Sequence, residues 1–261
     1  MKDKFIRYGF VLGLLLICIL QISLSSLATG ELSNELLAWW FRRGENHAQA
    51  ILDTNSKRVI EEFEGISMGN NEKPYLYLTF DCGYEAGYTS KILDVLKENN
   101  IKAAFFITGH YLNSAGDMVK RMIEEGHVVG NHTVNHKCLP NLKQEEIKKE
   151  LLDLHRGVYE KFGYEMTYFR PPKGEFSERV ISIVKDLGYT TVMWSSAYDD
   201  WDKERQNREE YGKKKILENI HNGCVLLLHS TSKDNMNILD SVIKQAQNMG
   251  YKFKDLKEFE R

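Results

Sequence analysis

Residues 75–85, Tyr75-Leu76-Tyr77-Leu78-Thr79-Phe80-Asp81-Cys82-Gly83-Tyr84-Glu85, decide how the rest of the chain is read. The run YLYLTF is apolar or aromatic on both alternating faces, as in a strand covered on both sides, and it ends abruptly at a carboxylate followed by a thiol. Similar runs recur as AAFFIT, HVVGNH, TYFRP, TVMWSS and CVLLLH, and a short YKFKD follows Gly250. Between them lie stretches of helical period at about 87–99, 114–125, 143–162, 176–187, 206–221 and 234–248. Gly126, Gly163, Gly188, Gly223 and Gly250 stand where helices would end in a left-handed cap. Strand–helix repeats of this kind predict an α/β fold with a helix-covered parallel sheet, either a barrel or a doubly wound sheet. Both place chemistry at the carboxyl ends of the strands.

Outside this repeat the chain is different. Residues 1–29 carry Lys2, Lys4 and Arg7 before a long uncharged apolar run that closes with small residues, the layout of a secretory signal peptide cleaved near Ser26-Leu27-Ala28. The run is nearly long enough to span a bilayer, so an uncleaved signal-anchor is the alternative. Either predicts export across the cytoplasmic membrane, to a secreted or membrane-anchored site at the cell wall or spore envelope. Residues 30–74 read as an N-terminal extension of mixed composition, and 75–261 as the main domain. A formal net charge of −2 gives no reason to expect a nucleic acid or an anionic membrane as partner, apart from the N-terminal segment. With Cys18 in the leader, Cys82, Cys138 and Cys224 are left, an odd number in a chain large enough to need no staples, so free thiols are expected.

The unusual polar residues fall at strand ends: Asp81, His132, Arg170, Ser195 with Ser196, and His229. Taken singly, each is most simply a loop cap; together they would aim at one rim. In GNHTVNH, His132 and His136 stand four apart, a spacing that lets two imidazoles converge on one cation or leaves a solvent-facing pair. The same stretch contains the sequon NHT, but Asn131 at a strand end is a poor glycan acceptor.

The ordered segments TFDCGYE, NHTVNH, RPPKGEF, WSSAYDDW and LLLHS resemble those of the polysaccharide deacetylases, the NodB-homology group of carbohydrate esterases (family 4), over about residues 75–260. The form of the first segment, ISMGN before it, RPPKGEFSE and AYDDW are most similar to the sporulation enzymes that de-N-acetylate muramic acid on the way to muramic δ-lactam in spore cortex. That resemblance implies a distorted (β/α) barrel of seven or eight strands and a metal-assisted amide hydrolase acting on a peptidoglycan glycan strand, in functional pairing with a peptide-stripping amidase. It implies Asp81 as general base, Arg170 orienting it through a bidentate contact, and a divalent ion on His132 and His136. It further implies the Lys173 N–H as oxyanion donor, His229 as general acid paired with Asp200 (Asp199 being adjacent), and Trp201 and Leu227 as the wall around the acetyl methyl. Tyr84 and Glu85 would line the sugar site. N-acetylglucosamine deacetylation and a catalytically silent glycan-binding barrel are the alternatives.

Cys82 departs from the family pattern. Most members have an aspartate there that completes the metal site, and the sporulation-type relatives commonly have asparagine. A thiolate would make a Cys-His-His site that favours zinc. Without it, two histidines and waters would hold a weaker ion. Its use as a nucleophile is not supported, because no motif histidine is left to activate it.

Overall fold

The computed structural model describes residues 32–261. The leader and its cleavage site therefore lie outside the described residues. Among those described, no helix is long and apolar enough to cross a membrane.

The fold is organised around β4 (Tyr75–Cys82), flanked in parallel by β10 (Cys224–His229) and β5 (Ala104–Ile107). The sheet continues through β6 (Val128–Asn131), β7 (Tyr168–Phe169) and β9 (Thr190–Thr191), and β11 (Lys252–Phe253) pairs with the start of β4, which makes seven strands. Beyond β9 the chain swings back toward β10: Ser195 and Ser196 N–H groups donate to the Val225 carbonyl, and Leu227 N–H donates to Ser196. The sheet is thus curled toward closure, the distorted barrel expected. The order of helices also follows expectation: α2 (Thr89–Glu98), α4 (Gly116–Glu124), α5 (Gln144–Phe162), α6 (Glu178–Asp186), α7 (Glu209–Asn219) and α8 (Lys233–Asn248). A short helix, α3 (Gly109–Ser114), was not anticipated. All five cap glycines have positive φ, as anticipated.

Alternation along β4 sorts its side chains into two layers. Leu76, Leu78, Phe80 and Cys82 face the helices, among Ile92, Leu93 and Tyr111. Tyr77 faces the barrel interior with Phe106, Val128, Val192 and Val225. Asp81 is in step with Tyr77 and ends the inner face. Gly130 on β6 serves the same interior: a Cβ there would lie 2.5 Å from the Phe106 ring, which is itself fully buried.

The N-terminal extension is not a separate appendage. The chain from Glu35 to Arg261 forms one compact unit, so the expected boundary at residue 75 divides nothing. Strand β1 (Leu37–Ala38) pairs antiparallel with β8 (Glu175–Phe176), β2 (Phe41–Arg42) pairs with β3 (Ile51–Leu52), and α1 (Thr54–Glu62) is capped by the Asp53 carboxylate. Trp39, Val59 and Ile60 pack against Phe176, Ile181 and Met193. Trp39 also donates its indole N–H to the Trp194 carbonyl at 2.9 Å and its backbone N–H to Gly174. The extension thus braces the RPPKGEF loop from behind.

Candidate active site

Two polar assemblies face one another across the carboxyl rim of the sheet. The first is built on Asp81, which is 7% exposed. Arg170, completely buried, donates Nη1–H to Asp81 Oδ1 at 2.8 Å. Its Nε and Nη2 donate instead to the Val192 and Met193 carbonyls, so the contact is single rather than the bidentate one expected. The guanidinium carbon lies 4.2 Å from the Phe106 ring centroid and 5.5 Å from that of Trp194, a π-lined slot that holds the plane in one orientation. Burial by itself would raise the Asp81 pKa, but the charge and hydrogen bond of Arg170, helped by His229, outweigh it and hold the carboxyl below its ordinary range. A carboxylate kept ionised while screened from water is suited to accept a proton.

The second assembly is centred on His229. Its Nδ1 lies 2.8 Å from Asp200 Oδ1, and its backbone N–H donates to Asp200 Oδ2 at 2.7 Å. A carboxylate only accepts, so Nδ1 carries the proton and Nε2 is left for the cavity. Asn235, at the start of α8, donates to Asp200 at 2.6 Å and to the His229 carbonyl at 3.1 Å. Burial would lower the His229 pKa, yet the Asp200 charge and hydrogen bond prevail and raise it. Asp199, the neighbour that left the pairing open, is held instead by Arg205 and Arg208.

His132 and His136 stand beside the first assembly, with ring centroids 4.9 Å apart. Thr133 (φ 68°) and His136 (φ 54°) both adopt left-handed backbone, which folds the loop back so that the rings meet. For a β-branched residue such as Thr133 this is a strained conformation. It is held by Thr133 N–H on Asn131 Oδ1 and His136 N–H on Thr133 Oγ1, both 2.9 Å. His132 Nδ1 donates to the Arg170 carbonyl at 2.8 Å, which fixes the tautomer and leaves the Nε2 lone pair 3.6 Å from Asp81 Oδ2. Burial lowers the pKa of His132 to about 4 and that of His136 as well, so both rings are neutral at pH 7 and free to act as ligands. Two neutral imidazoles beside a carboxylate fit a divalent cation that keeps its other positions for water and substrate. Among the described residues no group of three or more His, Cys, Asp or Glu side chains is gathered as a complete ligand set.

The assemblies share a cavity of about 620 Å³ lined by Asp81, His132, His136 and His229 together with Tyr84 and Lys173. Leu227, 4% exposed, forms part of its wall, and Trp201, 64% exposed, stands at its edge. A second hollow of about 700 Å³ adjoins it through Gly83, Tyr84 and His136 and runs on past His110 and Asn113.

Comparison with known proteins gives the family of this fold. The polysaccharide deacetylase family signature matches residues 68–192. The chain is 39% identical over 224 residues to the Bacillus subtilis peptidoglycan-N-acetylmuramic acid deacetylase PdaA, covering 85% of each chain. The solved PdaA structure, described as a family 4 carbohydrate esterase, superposes with a TM-score of 0.84 at 38% identity, covering 87% of this chain and 97% of that one. The chain belongs to the polysaccharide deacetylase family. A Bacillus cereus peptidoglycan-N-acetylglucosamine deacetylase is a further relative, 32% identical over 195 residues and covering 74% of this chain and 90% of that one.

In this deacetylase two of the expected site residues are elsewhere. Cys82 does not reach the histidines. It is fully buried on the helix-facing side of β4, near Ser230 and Tyr111, and burial pushes its thiol pKa far up, which disfavours the thiolate a metal needs. The Cys-His-His expectation is thereby corrected to a pair of histidines. Glu85 does not line the cavity either: its carboxylate accepts from the Gly87 and Thr89 N–H groups and from the Tyr111 hydroxyl, anchoring the start of α2. Asn131 is fully buried with its amide committed to the Leu151 carbonyl and Tyr189, so the NHT sequon is no glycan acceptor. Cys82, Cys138 and Cys224 are all free thiols, as expected. Trp194, Tyr198 and Thr231, which line the cavity, were missed in the sequence, as was Asn235, which holds the Asp200–His229 pair; only the place of Asn235 three residues after Ser232, the cap of α8, hinted that it would be fixed there.

Proposed function

We propose that this deacetylase removes the N-acetyl group from N-acetylmuramic acid in peptidoglycan, in the synthesis of the muramic δ-lactam of spore cortex. One observation carries the chemistry. A carboxylate held ionised and an imidazole held ready for protonation face a common cavity, as required to split an amide whose amine leaves poorly. The similarity to PdaA over 85% of the chain supports the sugar assignment.

In this reading the acetamido group lies between the two assemblies, with its methyl toward Leu227. A divalent ion, which we assign as zinc, would be held by His132 and His136 and would acidify water and polarise the carbonyl. Asp81 takes the proton from the attacking water, and Arg170 keeps that carboxylate oriented and ionised. The Lys173 backbone N–H faces the carbonyl oxygen as charge develops on it. His229 then gives its proton to the departing amine, with Asp200 stabilising the imidazolium. Tyr84 and the exposed Trp201 bound the sugar, and the adjoining hollow accommodates the rest of the glycan strand. The N-terminal residues deliver the chain across the cytoplasmic membrane, and a peptide-stripping amidase prepares the strand.

Acetate release from purified wall glycan, with and without prior amidase treatment, tests the assignment. Release that depends on muramic acid residues is expected. Release from N-acetylglucosamine residues alone would transfer the function to the reaction named for the Bacillus cereus relative, and no release from any glycan with added zinc would leave only a binding barrel.

A further inference from the structure

The cavity holds one cation that the catalytic assemblies leave uncompensated. Asp81 is paired with Arg170 and Asp200 with His229, whereas Lys173, exposed and lining the same cavity, has no carboxylate within ion-pair distance among the described residues. Its nearest acidic neighbour in sequence, Glu175, sits on β8 against the Cys138 thiol and does not line the cavity. The position of Lys173 is also held firmly. Lys173 has φ 58° between Pro172 and Gly174, and the loop is braced by Trp39 N–H on the Gly174 carbonyl.

We propose that the Lys173 ammonium recognises the free carboxylate of the 3-O-lactyl group on the muramic acid being deacetylated, and so selects that sugar over N-acetylglucosamine. This rests on the muramic acid reading above. The chemistry of the sugar supplies the fit. The acetamido group is on C2 and the lactyl ether on the neighbouring C3, so the carboxylate lies close beside the amide under attack. The main chain and side chain of Lys173 diverge from one Cα. A single residue can therefore address the amide carbonyl through its N–H and the carboxylate through an ammonium on a flexible four-carbon stem. N-acetylglucosamine has no anion at C3. A muramic acid that still carries its stem peptide has that carboxyl tied up as a neutral amide. Selection would thus come from a charge present only on the stripped sugar, not from a larger cavity.

The test compares a peptide-free glycan oligomer bearing free lactyl carboxylates with the same oligomer as its lactyl methyl ester, by the kcat/KM for acetate release. The wild-type protein should prefer the free acid. In Lys173→Gln that preference should shrink about tenfold, the order for one charge-assisted hydrogen bond, mainly through KM. Lys173→Arg should retain most of it, and added salt should compress it in the wild type far more than in Lys173→Gln. Release from both oligomers with the same acid-to-ester ratio in wild type and Lys173→Gln would overturn this inference alone. Absence of release from either muramic substrate, with release from N-acetylglucosamine oligomers, would overturn the sugar assignment and this inference with it.

Discussion

The two polar assemblies at the rim contain the same kinds of parts, a carboxylate and a nitrogen base, and use them in opposite senses. Around Asp81 the partner is a buried permanent cation, which holds the carboxylate charged and unprotonated. Around His229 the partner is the buried Asp200 carboxylate, which favours a proton on the ring. The lesson is that acid and base are distinguished by what stands behind each one and not by burial, which opposes the charged form in both.

Breaking the first assembly should have the largest effect. Asp81→Asn keeps an acceptor for Arg170 but cannot take a proton, so acetate release should fall by at least about 10²-fold, the low end for a general base, with an unchanged far-UV spectrum. Substantial turnover in Asp81→Asn would reassign the base. Chelation is next: removal of a divalent ion from His132 and His136 should abolish most activity, with recovery on adding zinc, while the alkaline limb of the recovered enzyme stays where it was. Full activity after exhaustive chelation would refute an ion at the histidine pair.

The second assembly is best broken by pH. Because the His229 pKa is raised, its protonated form persists above the ordinary imidazole range, and kcat/KM should decline as pH rises through that raised value. Asp200→Asn removes the stabilising charge, so the decline should move to lower pH, with a loss of about tenfold at neutral pH. An alkaline limb that stays in place would show that another group titrates. The smallest effect is expected at Cys82. Cys82→Ala should leave zinc affinity within about twofold and lower stability by about 1 kcal/mol for a small cavity, measured by thermal unfolding. A large drop in zinc affinity would restore the thiol to the metal site.

The comparison of Asp81 with Cys82 shows how far the sequence could be read. The polar residues Asp81, His132, Arg170 and His229 at four strand ends and the strand–helix alternation were legible because long elements carry a period, whereas Ser195 and Ser196, expected at the same rim, are buried off the cavity, with Ser195 Oγ accepting from the Val225 N–H. The error at Cys82 came from carrying the family's metal position onto it. Here the strand runs to Cys82, and the alternation that points Asp81 inward points its neighbour into the helix-facing core. Glu85 was misplaced for a different reason: its partners are N–H groups of the turn that starts α2, and a cap of that kind has no periodic signature. The role of residues 35–53 was hidden because β1, β2 and β3 are two residues each, too short to carry any pattern, and acquire meaning only when β1 pairs with β8, β2 pairs with β3 and Trp39 between them reaches Trp194.

The absence of a side chain at Gly130 has a further consequence. Its space is filled by Phe106, and the face of Phe106 carries the Arg170 guanidinium. A methyl group at position 130 would displace the ring, tilt the cation and loosen its hold on Asp81, with no change to any residue that touches substrate. Such a lesion would present in a genetic screen as a folded, abundant and inert protein. Over evolutionary time, the interior of this barrel and the basicity of its carboxylate are not free to drift independently.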